Sequence, residues 1–440
     1  MRDGGPPLLL PGRCRRFSFG SDLSDPTFPL FTSVRFAVMV ASSRSHDGAG
    51  RMRASLISTA LVAALVGFGS TVALVLAAAA AVGASPEQAA SWILAVSLAK
   101  AIGTALLSWW SRMPMVLAWS TPGAALVAAT EGLTMEQAVG AFILAGLLIA
   151  AAGLIRPLGR LVAAIPDAIA AGMLAGVLLP FVLRLAPSAL ESPALVLPMV
   201  LLFVLVRQRH PAWAVLAALL LGLLLAALTG AATAPGAVGL PGLVLIEPVF
   251  DAGTAIGLAV PLALVTMASQ NLPGFATMRA AGYEPPVGTA LTTTGLLSSL
   301  SALFGAHPIS MAAITAAICL GPDAHPDPAR RWRVGLAYGA IWAGLGLASP
   351  LVVAVLTGLP PALVSGIVGL ALLGPLTGAM TAATGPAATR LAAVATLAVT
   401  ASGVAAFGIG AAFWGLLAGL AFHALDRALM RGRPSDSPSR

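Results

Sequence analysis

The fold is predicted mainly from two short stretches: "AWSTPGAALVAAT" at residues 118–130 and "FGAHPISMAAIT" at residues 304–315. Each is an apolar run of small residues with a proline near its middle or start. A bilayer tolerates irregular backbone only where it is buried in protein or lines a cavity. Since proline is favoured at the first helical position, each stretch predicts an extended segment followed by a half-helix beginning near Pro122 or Pro308. The alternative is two proline-kinked helices without a ligand.

The starts of two such half-helices would form an anion site. Their free N–H groups would point at the bilayer midplane, where a helix end stabilises an anion by about 0.3–1 kcal/mol, and by up to about 2 kcal/mol when partly buried. The two stretches therefore predict a binding site for a negatively charged group between them.

The rest of the chain is apolar enough to cross a membrane many times. Of its 440 residues, 58% are hydrophobic and 9% are charged. Runs of about 20 apolar residues are long enough to span a bilayer as helices. From Met52 onward we predict fourteen spans, at about 55–82, 88–110, 114–130, 136–155, 158–186, 193–206, 211–233, 253–278, 287–305, 308–320, 332–357, 360–384, 387–403 and 405–426.

The charges in the loops agree with this count. Arginines such as Arg112, Arg207 and Arg390 fall on alternate loops or near the termini, and the loops between them carry acidic residues without Lys or Arg. Because positive charge marks cytoplasmic loops, the pattern predicts that both termini are cytoplasmic. The net charge of +8 therefore reflects orientation in the membrane, and we do not expect nucleic-acid binding.

An internal repeat relates the two halves of the chain. "IPDAIAAGMLAG" and "LPPALVSGIVGL" align at Pro166 and Pro360, which are 194 positions apart, and the two opening stretches align at Pro122 and Pro308, 186 apart. Each half has an odd number of predicted spans, so the second half would be inserted upside down relative to the first. Chance similarity of short, Ala-rich motifs is the alternative.

These patterns divide the chain into five segments. The Gly-, Pro-, Ser- and Arg-rich start is predicted to be disordered or a mis-assigned extension. The segments are the N-terminal extension 1–51, the first seven-span repeat 52–233, an extracytoplasmic linker 234–252, the second, inverted repeat 253–428 and a cytoplasmic tail 429–440.

Two amides stand side by side in the stretch "MASQNLPGFATMRAAGY", residues 267–283, within an apolar run. Gln270 and Asn271 could donate hydrogen bonds to a carboxylate, while Pro273 and Gly274 loosen the helix beside them. Alternatively, the amides hold neighbouring helices together, as polar side chains do in membranes. We expect at least one of the two amides to line a binding site.

Few ionisable residues fall inside the predicted spans: Lys100, Asp167, Arg184 and His307. Such residues are functional candidates by default. Lys100 could pair with Asp167 or attract an anion, whereas Asp167 could also cap its helix. Arg184 is expected to reach the outer interface. His307 titrates near neutral pH and is the leading candidate for a proton-responsive group.

Patterns typical of enzymes are almost absent from the sequence. It contains no HExxH, GxSxG, Walker-type loop or CxxC. Cys14 and Cys319 predict neither a disulfide framework nor a metal centre. His307 and Ser310, which would share a helix face at a spacing of three, leave an intramembrane hydrolase as a remote alternative. We expect no enzyme activity, cofactor or metal.

Four segments resemble one known family: "AWSTPGAAL", "MASQNLPGFATMRAAGY", "AAITAAICLGPDAHPDPARRW" and "VTASGVAAFGIGAAFWGL". They are similar to the benzoate:proton symporters of bacterial inner membranes, and the similarity runs from Met52 to about residue 426. The resemblance implies inward transport of benzoate with a proton. It also implies kinship with uracil/xanthine permeases and sulfate permeases, which have fourteen spans in two inverted repeats, broken third and tenth spans, and substrate between the half-helices.

The resemblance also implies a set of site residues by position. The substrate-binding set is Gly69, Ser70, Ser120, Thr121, Gly123, Gln270, Asn271, His307, Ile309 and Ser310. The resemblance leaves the proton acceptor unidentified, and the candidates for it come from the ionisable residues of the predicted spans: His307, Asp167 and Lys100. Nucleobase permeases carry acidic residues where this chain has Gln270 and His307. A neutral amide suits an anionic ligand, which a carboxylate would repel. An anion channel of the same architecture is the alternative function, and a homodimer is one possible assembly.

Overall fold

The computed structural model describes residues 48–234, 238–407 and 409–431. The predicted disorder of residues 1–47 and the predicted tail at residues 432–440 lie outside the described residues.

Helices make up nearly all of the described chain, with one pair of short strands. In chain order the elements are α1 Gly48–Gly69, α2 Val72–Ala81, α3 Pro86–Ser111, β1 Leu117–Trp119, α4 Thr121–Ala128, α5 Met135–Leu154, α6 Arg156–Ala163, α7 Asp167–Leu183, α8 Leu185–Glu191, α9 Pro193–Arg209, α10 Ala214–Leu228, α11 Ala252–Ala280, α12 Val287–Ala302, β2 Ile309–Met311, α13 Ile314–Leu320, α14 Trp332–Leu347, α15 Ser349–Thr357, α16 Pro361–Thr384, α17 Arg390–Ala401 and α18 Ala411–Arg431.

Seven helical segments of the described chain are long and apolar enough to cross a membrane, and a bent pair raises the number to eight. The protein is therefore a multi-pass membrane protein. In the bent pair, α14 and α15 meet at 54°, so the single run expected at 332–357 is broken. Pro350, in the first turn of α15, lacks the N–H that would continue α14, which explains the break.

Local sequence explains where several helices begin. Ser85 with Gln88 and Thr134 with Gln137 form capping boxes at the starts of α3 and α5. Pro166 is the N-cap of α7, so the run expected at 158–186 is instead two helices, α6 and α7. The residue before a proline avoids helical geometry, which accounts for that break.

The helices pack as two groups. The strand-containing group comprises α1–α5, α11–α15 and the two strands, and the second group comprises α7–α10 and α16–α18, with most packing inside each group. Small residues allow close approach within a group, as is usual in membranes. A Cβ added to Gly339 of α14 would lie 2.8 Å from the carbonyl oxygen of Ala101 in α3.

The linker between the two halves is tied to the ends of three helices. Backbone N–H groups of Val244, Ile246 and Val249 donate to the Ser91 hydroxyl, the Leu303 carbonyl and the Glu136 carbonyl, at 2.9, 2.8 and 2.9 Å. These bonds hold the linker across the ends of α3, α5 and α12 without regular secondary structure.

Candidate functional site

The two opening stretches meet as an antiparallel strand pair inside the strand-containing group. Leu117 faces Met311, Ala118 faces Ser310 and Trp119 faces Ile309. Each strand leads into a short helix, α4 or α13. Pro122 lies in the first turn of α4 as expected, but α13 begins at Ile314, six residues after Pro308. The helix starts late because residues 309–311 must stay extended to pair with β1.

Side chains from surrounding helices form hydrogen bonds with the backbone groups on the outer edges of this buried strand pair. An unpaired backbone group would be costly in such surroundings. The bonds are Leu117 N–H to Thr104 Oγ1 (3.1 Å), Tyr338 O–H to the Leu117 carbonyl (3.2 Å), Ile309 N–H to Ser298 Oγ (2.9 Å) and Met311 N–H to Asn271 Oδ1 (2.8 Å). Sequence reasoning missed Thr104, Ser298 and Tyr338, whose only signal was a hydroxyl in an apolar run.

Gln270 and Asn271 play different parts. They end a π-helical stretch, Met267–Asn271, within α11, and such stretches are frequent at functional sites. Asn271 is fully buried, accepts from Met311 and places its Nδ2 3.4 Å from the sulfur of Met267. Gln270 is half-buried, and its side chain makes no hydrogen bond to any described residue. Asn271 therefore anchors β2, and Gln270 offers a free amide.

Replacing Asn271 by leucine should lower the free energy of unfolding by about 1–3 kcal/mol, because the similar-sized apolar side chain leaves the Met311 N–H buried without an acceptor. Thermal unfolding in detergent would measure the loss. Thr294→Val is the matched control, since the Thr294 hydroxyl bonds only carbonyls of its own helix. Equal stability of the two variants would contradict the anchoring role.

Ser120 joins the start of α4 to α11. Its Oγ accepts from the Gly123 N–H at 3.1 Å and shares a hydrogen bond of 2.7 Å with the Thr266 hydroxyl. A Cβ on Gly123 would lie 2.7 Å from Leu262, so this glycine permits close packing of α4 on α11. Thr121 is half-buried at the first helical position, and its hydroxyl has no bond among the described residues.

The end of α1 reaches the strand pair through a residue that sequence reasoning missed. The Thr71 hydroxyl accepts from Trp119 Nε1 at 2.7 Å and donates to the Gly67 carbonyl at 2.8 Å. Ser70 bonds back to its own helix at the Val66 carbonyl. Gly69 packs against Leu216 of α10, where a Cβ would lie 2.6 Å from that side chain. Thr71, rather than Gly69 or Ser70, contacts β1.

His307 precedes β2 and does not start a helix. It is fully buried, its Nδ1 accepts from Trp92 Nε1 at 2.8 Å, and its Nε2 has no partner among the described residues. Ser310 lies in β2, where its hydroxyl is 3.5 Å from the Ala118 carbonyl. The expectation that His307 and Ser310 share a helix face was wrong, because residues 309–311 are extended, and Ile309 beside them is fully buried.

Lys100 and Asp167 are not paired. Lys100 is 1% exposed, with its Nζ 2.9 Å from the centre of the Trp342 ring. Asp167 is exposed at the first position of α7, in the second helix group. No ion pair to Lys100 occurs within the described residues. Of the two alternatives for Lys100, the pair with Asp167 is therefore not formed, because the two residues lie on different helix groups. Arg184 is exposed at the end of α7.

Comparison with known proteins relates the chain to membrane transporters. The profile of the family described as "Benzoate membrane transport protein" matches residues 50–425. The "Inner membrane protein YdcO" of Escherichia coli K12 is 40% identical over 360 residues, covering 81% of this chain and 92% of that protein. The "Benzoate membrane transport protein" of Acinetobacter baylyi is 32% identical over 338 residues, covering 76% and 86%.

Solved structures share the fold at low sequence identity. The transmembrane domain of the cyanobacterial bicarbonate transporter BicA superposes with a TM-score of 0.55 at 17% identity, covering 84% of this chain and 98% of that domain. Murine Slc26a9, an anion transporter solved in the inward-facing state, gives a TM-score of 0.57 at 13% identity, covering 97% and 77%. The chain thus has a helical transporter fold.

Proposed function

Because the chain belongs to the benzoate membrane transport protein family, we propose that it imports benzoate or a similar aromatic carboxylate together with a proton across a bacterial inner membrane. The protein is a membrane transporter rather than an enzyme. One named relative is a benzoate transporter and another an inner membrane protein, which supports the substrate and the location.

The free amide of Gln270 is the observation that carries this proposal. A neutral amide donates hydrogen bonds to a carboxylate without adding negative charge. The π-helical stretch that holds Gln270 packs against β2 on one side and against α7 of the second helix group on the other. Thr121 at the start of α4 adds an unbonded hydroxyl. The carboxylate would therefore bind at the boundary between the two helix groups.

Apolar surface for an aromatic ring lies near the same strand pair. Ile314, the first residue of α13, is 66% exposed although its helix follows directly from buried β2. Ile309, one of the substrate-binding residues implied by the family resemblance, is part of β2 and fully buried. We therefore assign the ring contact to Ile314, with the carboxylate toward Gln270.

We also propose that the chain forms two inverted seven-span repeats, 52–233 and 253–428. In this arrangement β1 and α4 form the broken third span, and β2 and α13 form the broken tenth span. Pro166 and Pro360 are both N-caps, of α7 and α16. Thr104 and Ser298, 194 positions apart, both accept a hydrogen bond from a strand N–H. These equivalences support the repeat. Kinship with uracil/xanthine permeases is proposed from the family resemblance, and cytoplasmic termini are proposed from the charges of the loops.

Alternating access follows from that architecture. The strand-containing group would carry the substrate and rock against the second group, so that Gln270 faces one side of the membrane and then the other. The packing supports this division, because contacts between the groups are far fewer than contacts within them. We also propose a homodimer, which would hold one group fixed while the other moves.

Uptake of labelled benzoate into proteoliposomes tests the proposal. With an alkaline interior, each pH unit contributes about 1.4 kcal/mol to uptake, and the initial rate of uptake should exceed that of protein-free liposomes. Protein-free liposomes give the background, because neutral benzoic acid crosses lipid unaided. A current that persists without a pH gradient would favour an anion channel, and uptake equal to the background would contradict transport of benzoate.

A further inference from the structure

Lys100 lies in a closed aromatic cage next to the candidate site. Its Nζ is 2.9, 5.2 and 5.4 Å from the ring centres of Trp342, Trp119 and Tyr338. Trp119 and Trp342 meet edge to face at 4.9 Å and close the cage on one side. An ammonium gains about 2 kcal/mol or more from a desolvated aromatic face, which is far less than the cost of burying an isolated charge.

The neighbours of Lys100 supply no negative charge. Of the elements packed against α3, α14 carries Tyr338 and the cationic Arg333, while α2, α12, α15 and both strands carry no titratable residue. Other titratable side chains buried among the described residues of this group are His307, before β2, Cys319, on α13, and His325. None of these groups forms an ion pair with Lys100. A charged Lys100 therefore needs a counter-charge that the described chain does not provide.

We propose that the ε-amine of Lys100 carries the co-transported proton, an inference that rests on the proposed proton-coupled uptake. A proton from the extracytoplasmic water bonds to the lone pair of Nζ and gives an ammonium. The substrate carboxylate, bound nearby, supplies the missing negative charge. On the cytoplasmic side the substrate leaves, the ammonium loses its counter-charge, and the proton returns to water. One proton therefore moves with each carboxylate.

Trp119 connects the cage to the substrate site. Its ring faces Lys100, its backbone precedes the Ser120 cap of α4, and its Nε1 donates to Thr71 at the end of α1. A carboxylate near α4 is therefore separated from Nζ by this indole. Ser97, one turn before Lys100 on α3, has a buried hydroxyl without a hydrogen-bond partner among the described residues. This hydroxyl would relay a proton between the start of α3 and Lys100.

The other two proton candidates fit less well. The Nδ1 of His307 already accepts a hydrogen bond from Trp92 Nε1. Protonating Nδ1 would make it a donor as well, so that two N–H groups would point at each other. Asp167 is exposed at the start of α7, away from the cage. Lys100 is the candidate that is both buried and free of a competing hydrogen bond among the described residues.

Lys100→Met is the decisive variant. Methionine is apolar and of similar size, so the aromatic cage should stay filled and the protein folded. In proteoliposomes we expect the variant to exchange labelled for unlabelled benzoate faster than protein-free liposomes do, but to lose the increase in initial uptake rate that a pH gradient gives the unaltered protein. Lys100→Arg, which stays charged, should block net uptake. An initial rate of gradient-driven uptake by Lys100→Met, above the protein-free background, equal to that of the unaltered protein would overturn the inference.

Proton uptake on binding gives a second readout that does not require transport. Calorimetry in buffers of different ionisation enthalpy should show about one proton taken up per benzoate by the unaltered protein and none by Lys100→Arg. Equal proton uptake by both would also overturn the inference, as would a folded Lys100→Met that no longer binds benzoate. Failure of the proposed function is distinguishable, because the unaltered protein would then show no gradient-driven uptake above that of protein-free liposomes.

Discussion

Replacing Gln270 by glutamate is expected to reduce benzoate uptake at least a hundredfold while leaving the protein folded. Two carboxylates about 4 Å apart repel by about 4 kcal/mol at an effective dielectric constant near 20. Each 1.36 kcal/mol is a factor of ten in affinity, and partial protonation of the new carboxyl offsets some of the loss. Because Gln270 is half-buried and makes no hydrogen bond within the described chain, the substitution breaks no structural contact.

Gln137→Glu is the matched control for this charge change. Gln137 accepts the Thr134 N–H in the capping box of α5, where glutamate serves equally well, so transport should be unaffected. Initial uptake rates over a range of benzoate concentrations would separate a rise in KM from a loss of folded protein. Gln270→Ala should have a milder effect, about tenfold, since it removes one hydrogen bond of about 0.5–1.5 kcal/mol. Normal uptake by Gln270→Glu would remove Gln270 from the site.

Much of the local geometry could be predicted from the sequence because it depends on neighbouring residues. Pro122 sets the start of α4, and the need to satisfy backbone groups in an apolar setting predicted an extended segment before each short helix. The late start of α13 could not be predicted in this way. It depends on pairing between β1 and β2, which are almost 200 residues apart in the chain.

The site itself was only partly visible in the sequence. The amides stood out, but the sequence could not separate Gln270 from Asn271, since that depends on which of them reaches Met311. Thr71, Thr104 and Ser298 were missed because a hydroxyl in a membrane helix usually bonds its own backbone. Their bonds to β1 and β2 become apparent only when the helices are packed around the strands.

Gly274→Ala should lower benzoate uptake about ten- to a hundredfold and reduce thermal stability, because α11 and β2 touch at this glycine. An added Cβ would lie 2.6 Å from Met311 Cβ and 2.9 Å from the Ala312 carbonyl oxygen, both closer than real contacts allow. Overpacking of this kind costs about 1–3 kcal/mol. Moving β2 away to relieve it would stretch the bond from the Met311 N–H to Asn271, and so would disturb the strand pair next to Gln270.

Gly344→Ala provides the same chemical change where there is room. No heavy atom would lie within 4 Å of the new Cβ, and alanine favours a helix over glycine by about 0.5–1 kcal/mol, so α14 should be slightly stabilised and uptake unchanged. Uptake kinetics and thermal unfolding of both variants in parallel would distinguish crowding at β2 from a general effect of removing a helix glycine. If Gly274→Ala transports benzoate as well as Gly344→Ala, the position of β2 is not critical to transport. A selective loss in Gly274→Ala would instead tie uptake to the contact between α11 and the strand pair, because only there does the added methyl group meet backbone.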